Sequence, residues 1–251
     1  MAGRNATSRY KKQLKIGVRY FDVRVKKKKD KLIIFHGPIN GQDFLPILAD
    51  VKNFIINNQT ETILLDFQHF DGDSQKDVFN EIKKELYEDN LVVENNTEMS
   101  DLEFLDQLKL TDARGKCIVF WGDSTTRYEK WLFLRNDDEC TKKGVGLNSY
   151  YYEMNHKGSI DDLLGSAHKS YFGNIEEKIE QEGNKGIFIL QCQLTDGNKI
   201  LGPYHRERAN GKKISEYIKN LKNSPDYKYL NVIMRDYLTE EKTTDIINLN
   251  F

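Results

Sequence analysis

The sequence predicts an α/β protein built on a mostly parallel sheet. Short apolar runs alternate with amphipathic helical stretches along much of the chain. About six such runs in 251 residues suit a (β/α) barrel or a doubly wound sheet. No G-x-G-x-x-G or P-loop stands at a strand–helix junction, which argues against a nucleotide-binding sheet. With four prolines and no repeat or low-complexity tract, one continuous domain over residues 1–251 is the simplest organisation.

GVRYFDVRV, residues 17–25, is rich in valine and aromatics and reads as the first strand. LIIFHG (32–37) is a short apolar run ended by a turn. FLPILADVKNFIINN (44–58) places Phe44, Ile47, Leu48, Val51, Phe54 and Ile55 on a helical stripe. ETILLDF (61–67) is the next strand, and SQKDVFNEIKKELYEDN (74–90) a second helix with Ser74 as its N-cap. GKCIVFWG (115–122) is another strand. Between 123 and 160 no period is visible, which reads as long loops. Helix returns at 160–181, strand at GIFILQCQL (186–194), helix at KKISEYIKNLK (212–222) and strand at NVIMRDYL (231–238). Only KKKKDK joins Val25 to Leu32, too short for a crossover helix. That link reads as a hairpin or an irregular barrel segment.

Composition excludes several function classes. A net charge of -1 removes any global case for nucleic-acid binding. No run of eighteen apolar residues exists, and MAGRNATSRYKKQLK has no apolar core of a secretory signal. A cytoplasmic or peripheral membrane location is the expectation. Cys117, Cys140 and Cys192 are too few for a disulfide framework or zinc site, and read as free buried thiols.

Chemistry in α/β folds collects at the carboxyl ends of strands. Asp22 and Arg24 end the first strand and, two residues apart, share one face. His36 ends the second, before Gly37 and Pro38. Asp66, Gln68 and His69 end the third, and Asp236 shares a face of the last with Val232 and Met234. Each has a structural reading: a rim ion pair, a turn histidine, a capping acid. Together they suit transfer at a phosphodiester. Arginine offers phosphate a fixed fork of donors, and histidine can protonate a leaving alkoxide near neutral pH. Lysines 26–29 read as a solvated turn or as a contact with an anionic surface.

QLKIGVRYFDVRV, LIIFHGP, ETILLDFQHF, DARGKCIVF and NVIMRDYL, in that order, resemble the X domain of phosphatidylinositol-specific phospholipase C over residues 13–240. The resemblance implies a distorted TIM-type (β/α) barrel. It implies cleavage between an inositol phosphate and diacylglycerol by attack of the inositol 2-hydroxyl. Arg24 then corresponds to the phosphate-binding arginine, Asp22 to its neighbouring carboxylate and His36 to the general acid. Asp236 corresponds to the carboxylate that orients a second histidine, the general base. Arginine at position 24, where calcium-dependent relatives carry an acid, implies a metal-independent site with no cofactor. A phosphatidylinositol-like lipid or inositol phosphate is the implied partner, with peripheral contact to anionic membrane.

One departure stands out. Family members begin with a strand ending in T-H-[DN], and no histidine precedes residue 36 here. The resemblance thus predicts that the first barrel strand, the base and a supporting carboxylate are missing. Three readings follow: a piece of an active enzyme, a non-catalytic inositol-phosphate or membrane-binding module, or a rebuilt site. A metal-dependent phosphodiesterase using Asp22 and Asp66 is a further alternative, opposed by the charge of Arg24.

Overall fold

The structure is a computed structural model and describes residues 9–71, 74–122, 129–136, 143–150, 159–183, 185–194 and 202–251. Cys140, His156 and much of the stretch read as loops lie outside them. The chain divides into two compact units: Met1–Glu94 with Lys109–Leu132, and Asn95–Leu108 with Phe133–Phe251.

In the first unit, strands β1 (Tyr20–Lys28), β2 (Lys31–His36), β3 (Ile39–Asp43), β4 (Thr62–Asp71) and β5 (Lys116–Trp121) lie in the order β3-β2-β1-β4-β5. β1, β4 and β5 are parallel, while β2 runs antiparallel to both its neighbours. KKKKDK is therefore a hairpin. Lys28 pairs with Lys31, leaving a two-residue turn. β1 buries Phe21, Val23 and Val25 and leaves Tyr20, Asp22 and Arg24 half-buried, the alternation expected of a strand with one apolar face.

Helix α1 (Arg9–Lys15) precedes β1; α2 (Phe44–Asn57) links β3 to β4, and α3 (Ser74–Ile82) packs on β1 and β4. The expected stripe of α2 is buried except at Phe54, which is half-buried under the Arg19 guanidinium, 4.6 Å from the ring centre. Ser74, expected as an N-cap, is instead the first helical residue, and its hydroxyl donates to the Val25 carbonyl at 3.0 Å.

The second unit has a parallel sheet in the order β7 (Leu147–Asn148), β8 (Ile187–Gln191), β9 (Val232–Met234); β6 (Leu132–Leu134) leads into it. Its core gathers Leu163, Tyr171, Ile175, Phe188, Leu190, Ile214 and Ile218. Helical turns run from 160 to 182 and end at Gly183, whose φ of 74° is the left-handed conformation glycine adopts freely.

Four expectations need correction. β1 and β4 run on to Lys28 and Asp71, so Asp22, Arg24, Asp66 and Gln68 lie within their strands and not at the carboxyl ends, because the charged residues that continue each strand hide its end in the sequence. The stretch 123–160 is not all loop, since β6 and β7 lie in it; at three and two residues they are too short to show a period. The helix expected over 212–222 is Gly202–Leu221, its first half too polar to show a stripe. The last strand ends at Met234, so Asp236 lies in the bend beyond it and is not aligned by strand alternation.

Gly122 follows β5 where a Cβ would stand 2.8 Å from the Gln68 carbonyl oxygen and 3.1 Å from that of Phe67. Both obstacles are backbone, so the strand must shift. Gly122→Ala is expected to lower stability by about 1–3 kcal/mol in urea denaturation.

Candidate active site

Three polar side chains project from one face of β1: Tyr20, Asp22 and Arg24. The register with β4 sets Asp22 directly beside Asp66, which is fully buried. Two carboxylates at neighbouring sheet positions repel unless donors surround them. The register then shifts: Val23 pairs with Phe67 but Arg24 with His69. Gln68 is the extra residue, and a bulge of this kind re-aims a side chain.

The result is a continuous chain of hydrogen bonds. Arg24 grips Asp22 with both prongs, Nε to Oδ1 at 3.2 Å and Nη2 to Oδ2 at 3.0 Å. Its Nη2 also donates to Gln68 Oε1 at 3.3 Å. Gln68 Nε2 donates to Asp66 Oδ2 at 3.0 Å, and the Tyr20 hydroxyl donates to the same oxygen at 2.7 Å. The side chains of Arg24 and Asp22 keep 24% and 15% exposure, so the pair is reachable from solvent. With Nε and Nη2 committed to Asp22 and Gln68, the guanidinium is held in one orientation, and its permanent charge suits a phosphate. Asp22 and Asp66 are engaged by Arg24, Gln68 and Tyr20. A cation on both acids would have to displace the guanidinium. Among the described residues, no group of three His, Cys, Asp or Glu side chains is placed to hold a metal ion.

His36 is exposed at the end of β2, opposite Ile39, at a turn where Gly37 takes a φ of 53° before Pro38. It lies two residues past Val25↔Ile34, the last pair of β2 with β1. An unbroken ladder would turn it to the face of Val25, away from Arg24. The ladder ends before it, and the β2–β3 register shifts between Ile33 and Phe35. Its side chain is thus not held by the alternation that sets Asp22 and Arg24.

Asp236 belongs to the second unit, where its setting is a cluster the sequence reading missed. The Arg235 side chain is fully buried. Its Nε and Nη2 reach Glu207 Oε1 at 3.2 and 2.8 Å, Nη2 also reaches the Gly211 carbonyl at 2.6 Å, and Nη1 donates to Ser215 Oγ at 2.9 Å. Lys242 Nζ meets the same Glu207 oxygen at 2.6 Å and donates to the Tyr237 carbonyl at 2.9 Å. Tyr237 has a φ of 49°, so these bonds hold a strained bend. The one available signal was a charged residue inside the apolar run NVIMRDYL. Burial, with the Glu207 charge adding, pushes the half-buried Asp236 up to about 6; Lys242 opposes the shift.

His168 is buried and both ring nitrogens are engaged. Nε2 lies 3.1 Å from the Gln191 carbonyl and Nδ1 2.7 Å from the Tyr217 hydroxyl. A carbonyl only accepts, so Nε2 carries the proton and Nδ1 accepts from Tyr217. That is a structural histidine. Cys117 and Cys192 are free and buried, and burial pushes both thiols up to about 12, which leaves them unreactive.

Residues 1–122 match the family model described as phosphatidylinositol-specific phospholipase C, X domain. The 1-phosphatidylinositol phosphodiesterase of Listeria monocytogenes is 24% identical over 246 residues, covering 95% of this chain and 69% of that protein. The solved phosphatidylinositol-specific phospholipase C of that organism superposes with a TM-score of 0.65 at 20% identity, over 98% of this chain and 82% of its own. A Staphylococcus aureus phosphatidylinositol-specific phospholipase C, solved in connection with modulation of its membrane binding, superposes at 0.62 and 15% identity, over 96% and 83%. The fold is that of these TIM-type barrels. The first half of the chain matches the X-domain family model, and over most of its length the chain is similar to the bacterial phosphatidylinositol-specific phospholipases C.

Two outcomes test the second unit. An acid raised in the folded state holds a proton that the unfolded chain releases. Stability therefore falls as pH rises from the usual carboxylate range to about 6, and the full penalty persists above. Asp236→Asn is expected to remove that decline in a Tm-versus-pH series. Glu207→Ala strands two cations, one fully buried, and is expected to cost about 3–5 kcal/mol in denaturant unfolding.

Proposed function

We propose that this chain is a phosphoric diester hydrolase of the phosphatidylinositol-specific phospholipase C type, acting through a single catalytic domain over residues 1–251. The observation that carries the reading is the Arg24 guanidinium, locked by Asp22 and Gln68 at the middle of β1. The likeness to the Listeria and Staphylococcus enzymes supports it.

In this reading Arg24 binds the phosphate of an inositol phospholipid and Asp22 keeps the guanidinium in register. The inositol 2-hydroxyl attacks phosphorus while the bond to the diacylglycerol oxygen breaks. His36 protonates that leaving oxygen. Its exposed place beside a tight turn lets the imidazole meet a substrate entering from solvent. Asp236 is the carboxylate that the resemblance assigns to orienting the base; none of the described histidines is assigned to take the 2-hydroxyl proton, and a base supplied from outside the described residues is required for turnover. The fixed charge of Arg24 supplies what a metal ion would supply in a calcium-dependent relative, so EDTA leaves the rate unchanged. The protein meets its lipid at the membrane surface; among the described residues, no helix is long and apolar enough to cross a membrane.

Turnover of a water-soluble inositol phosphodiester tests the assignment. His36→Ala is expected to lower the rate by roughly 10²–10⁴-fold while inositol phosphate binding persists. Arg24→Ala is expected to lose binding as well. A wild-type chain that binds inositol phosphate through Arg24 but turns nothing over is a headgroup-binding module, and the catalytic reading falls.

A further inference from the structure

The β1–β2 hairpin carries five lysines in six residues, Lys26 to Lys29 and Lys31, interrupted by Asp30. We propose that its tip docks the protein on an anionic lipid surface, with Lys28 and Lys29 as the contacting charges. This deepens the reading above, and rests on it only for why docking is needed.

The lysines are not equivalent. Lys27 is paired with Asp77 at 2.7 Å and Lys31 with Asp43 at 2.9 Å. Lys26 lies over the Phe35 ring, 5.1 Å from its centre. Lys28 and Lys29 are exposed, and among the described residues neither has an ion-pair partner. The whole chain has a net charge of -1, so this tip is a local feature and not the reflection of a basic protein.

The backbone adds a separate observation. Lys28 pairs with Lys31, and Lys29 in the two-residue turn has a φ of 54°. Hairpin turns fill that conformation with glycine or asparagine, because a Cβ is disfavoured there. A lysine stands where folding favours glycine. Such local strain points to a demand other than folding. Lysine is also the suitable charge for a diffuse target, being a compact ammonium on a flexible stem and not a rigid fork.

Position supplies the third observation. The strand ending in this tip carries Asp22 and Arg24. The four residues from Arg24 to Lys28 span about 13 Å of extended chain. A surface met by the tip is therefore met on the side where β1 delivers its phosphate anchor.

The full chain is sedimented with phosphatidylcholine vesicles, with and without phosphatidylserine. Binding is expected only with phosphatidylserine and should disappear at high salt. Each lysine near an anionic leaflet contributes about five-fold. Lys28→Gln with Lys29→Gly should thus weaken binding on the order of 25-fold. Lys29→Gly alone should weaken it about five-fold while raising Tm, which separates lost charge from a damaged fold. Equal binding of the double variant and wild type overturns the proposal. So does binding indifferent to phosphatidylserine, or a single-stranded RNA that competes with the vesicles through the same two lysines. Wild-type turnover of the soluble phosphodiester is measured in parallel. Turnover with lysine-independent vesicle binding sinks the docking surface alone; lysine-dependent binding without turnover sinks the catalytic reading alone.

Discussion

Two carboxylates set side by side on one face of a parallel strand pair are the constraint around which the first unit is organised. Asp22 and Asp66 occupy paired positions, and Asp66 has no exposure to water. In a medium of low dielectric that pairing is tolerable only with a cation and several donors at hand. Arg24 supplies the cation, and Gln68 and Tyr20 supply the donors. Such networks contribute little net stability, because each charge gives up its hydration. What they contribute is geometry: a guanidinium at the middle of β1 that cannot rotate freely.

Other features of the unit follow from holding that network. Gln68 reaches Arg24 because β4 gains a residue against β1. Gly122 lacks a side chain because the Gln68 carbonyl passes against it. The hairpin runs β2 back along β1, so His36, two residues past Ile34, returns toward the level of the network on an adjacent strand. The loosening of β2 at its end leaves His36 exposed at a turn while Arg24 is clamped.

The second unit solves a similar problem differently. Glu207 is buried and draws in both Arg235 and Lys242, so one carboxylate oxygen ties the end of β9, the bend at Tyr237 and the following helix to the helix Gly202–Leu221. Gly211 makes this possible, since a Cβ there would stand 2.6 Å from the Glu207 oxygen. Asp236 inherits its raised proton affinity from burial beside this negative charge. The strained bend that carries it persists because its neighbours on both sides are anchored.

Sequence alone determined the alternation of strands and helices and the shared face of Asp22 and Arg24, and it narrowed KKKKDK to a hairpin or an irregular barrel segment. Strand and helix periods are local properties, and two residues on one strand need no partner to share a face. It also singled out Asp66 and Gln68, though as strand-end residues when β4 runs on to Asp71, and it did not reveal the bond between Gln68 and Arg24. Tertiary structure decided that bond, because it depends on the register of two strands 42 residues apart in sequence, counted from Tyr20 to Thr62, and on a bulge with no local signature. It likewise decided the Glu207–Arg235–Lys242 cluster, the early end of the last strand and the two-residue β7. Buried ion pairs join residues whose spacing follows no period, and strands this short carry none. Only packing brings such groups together.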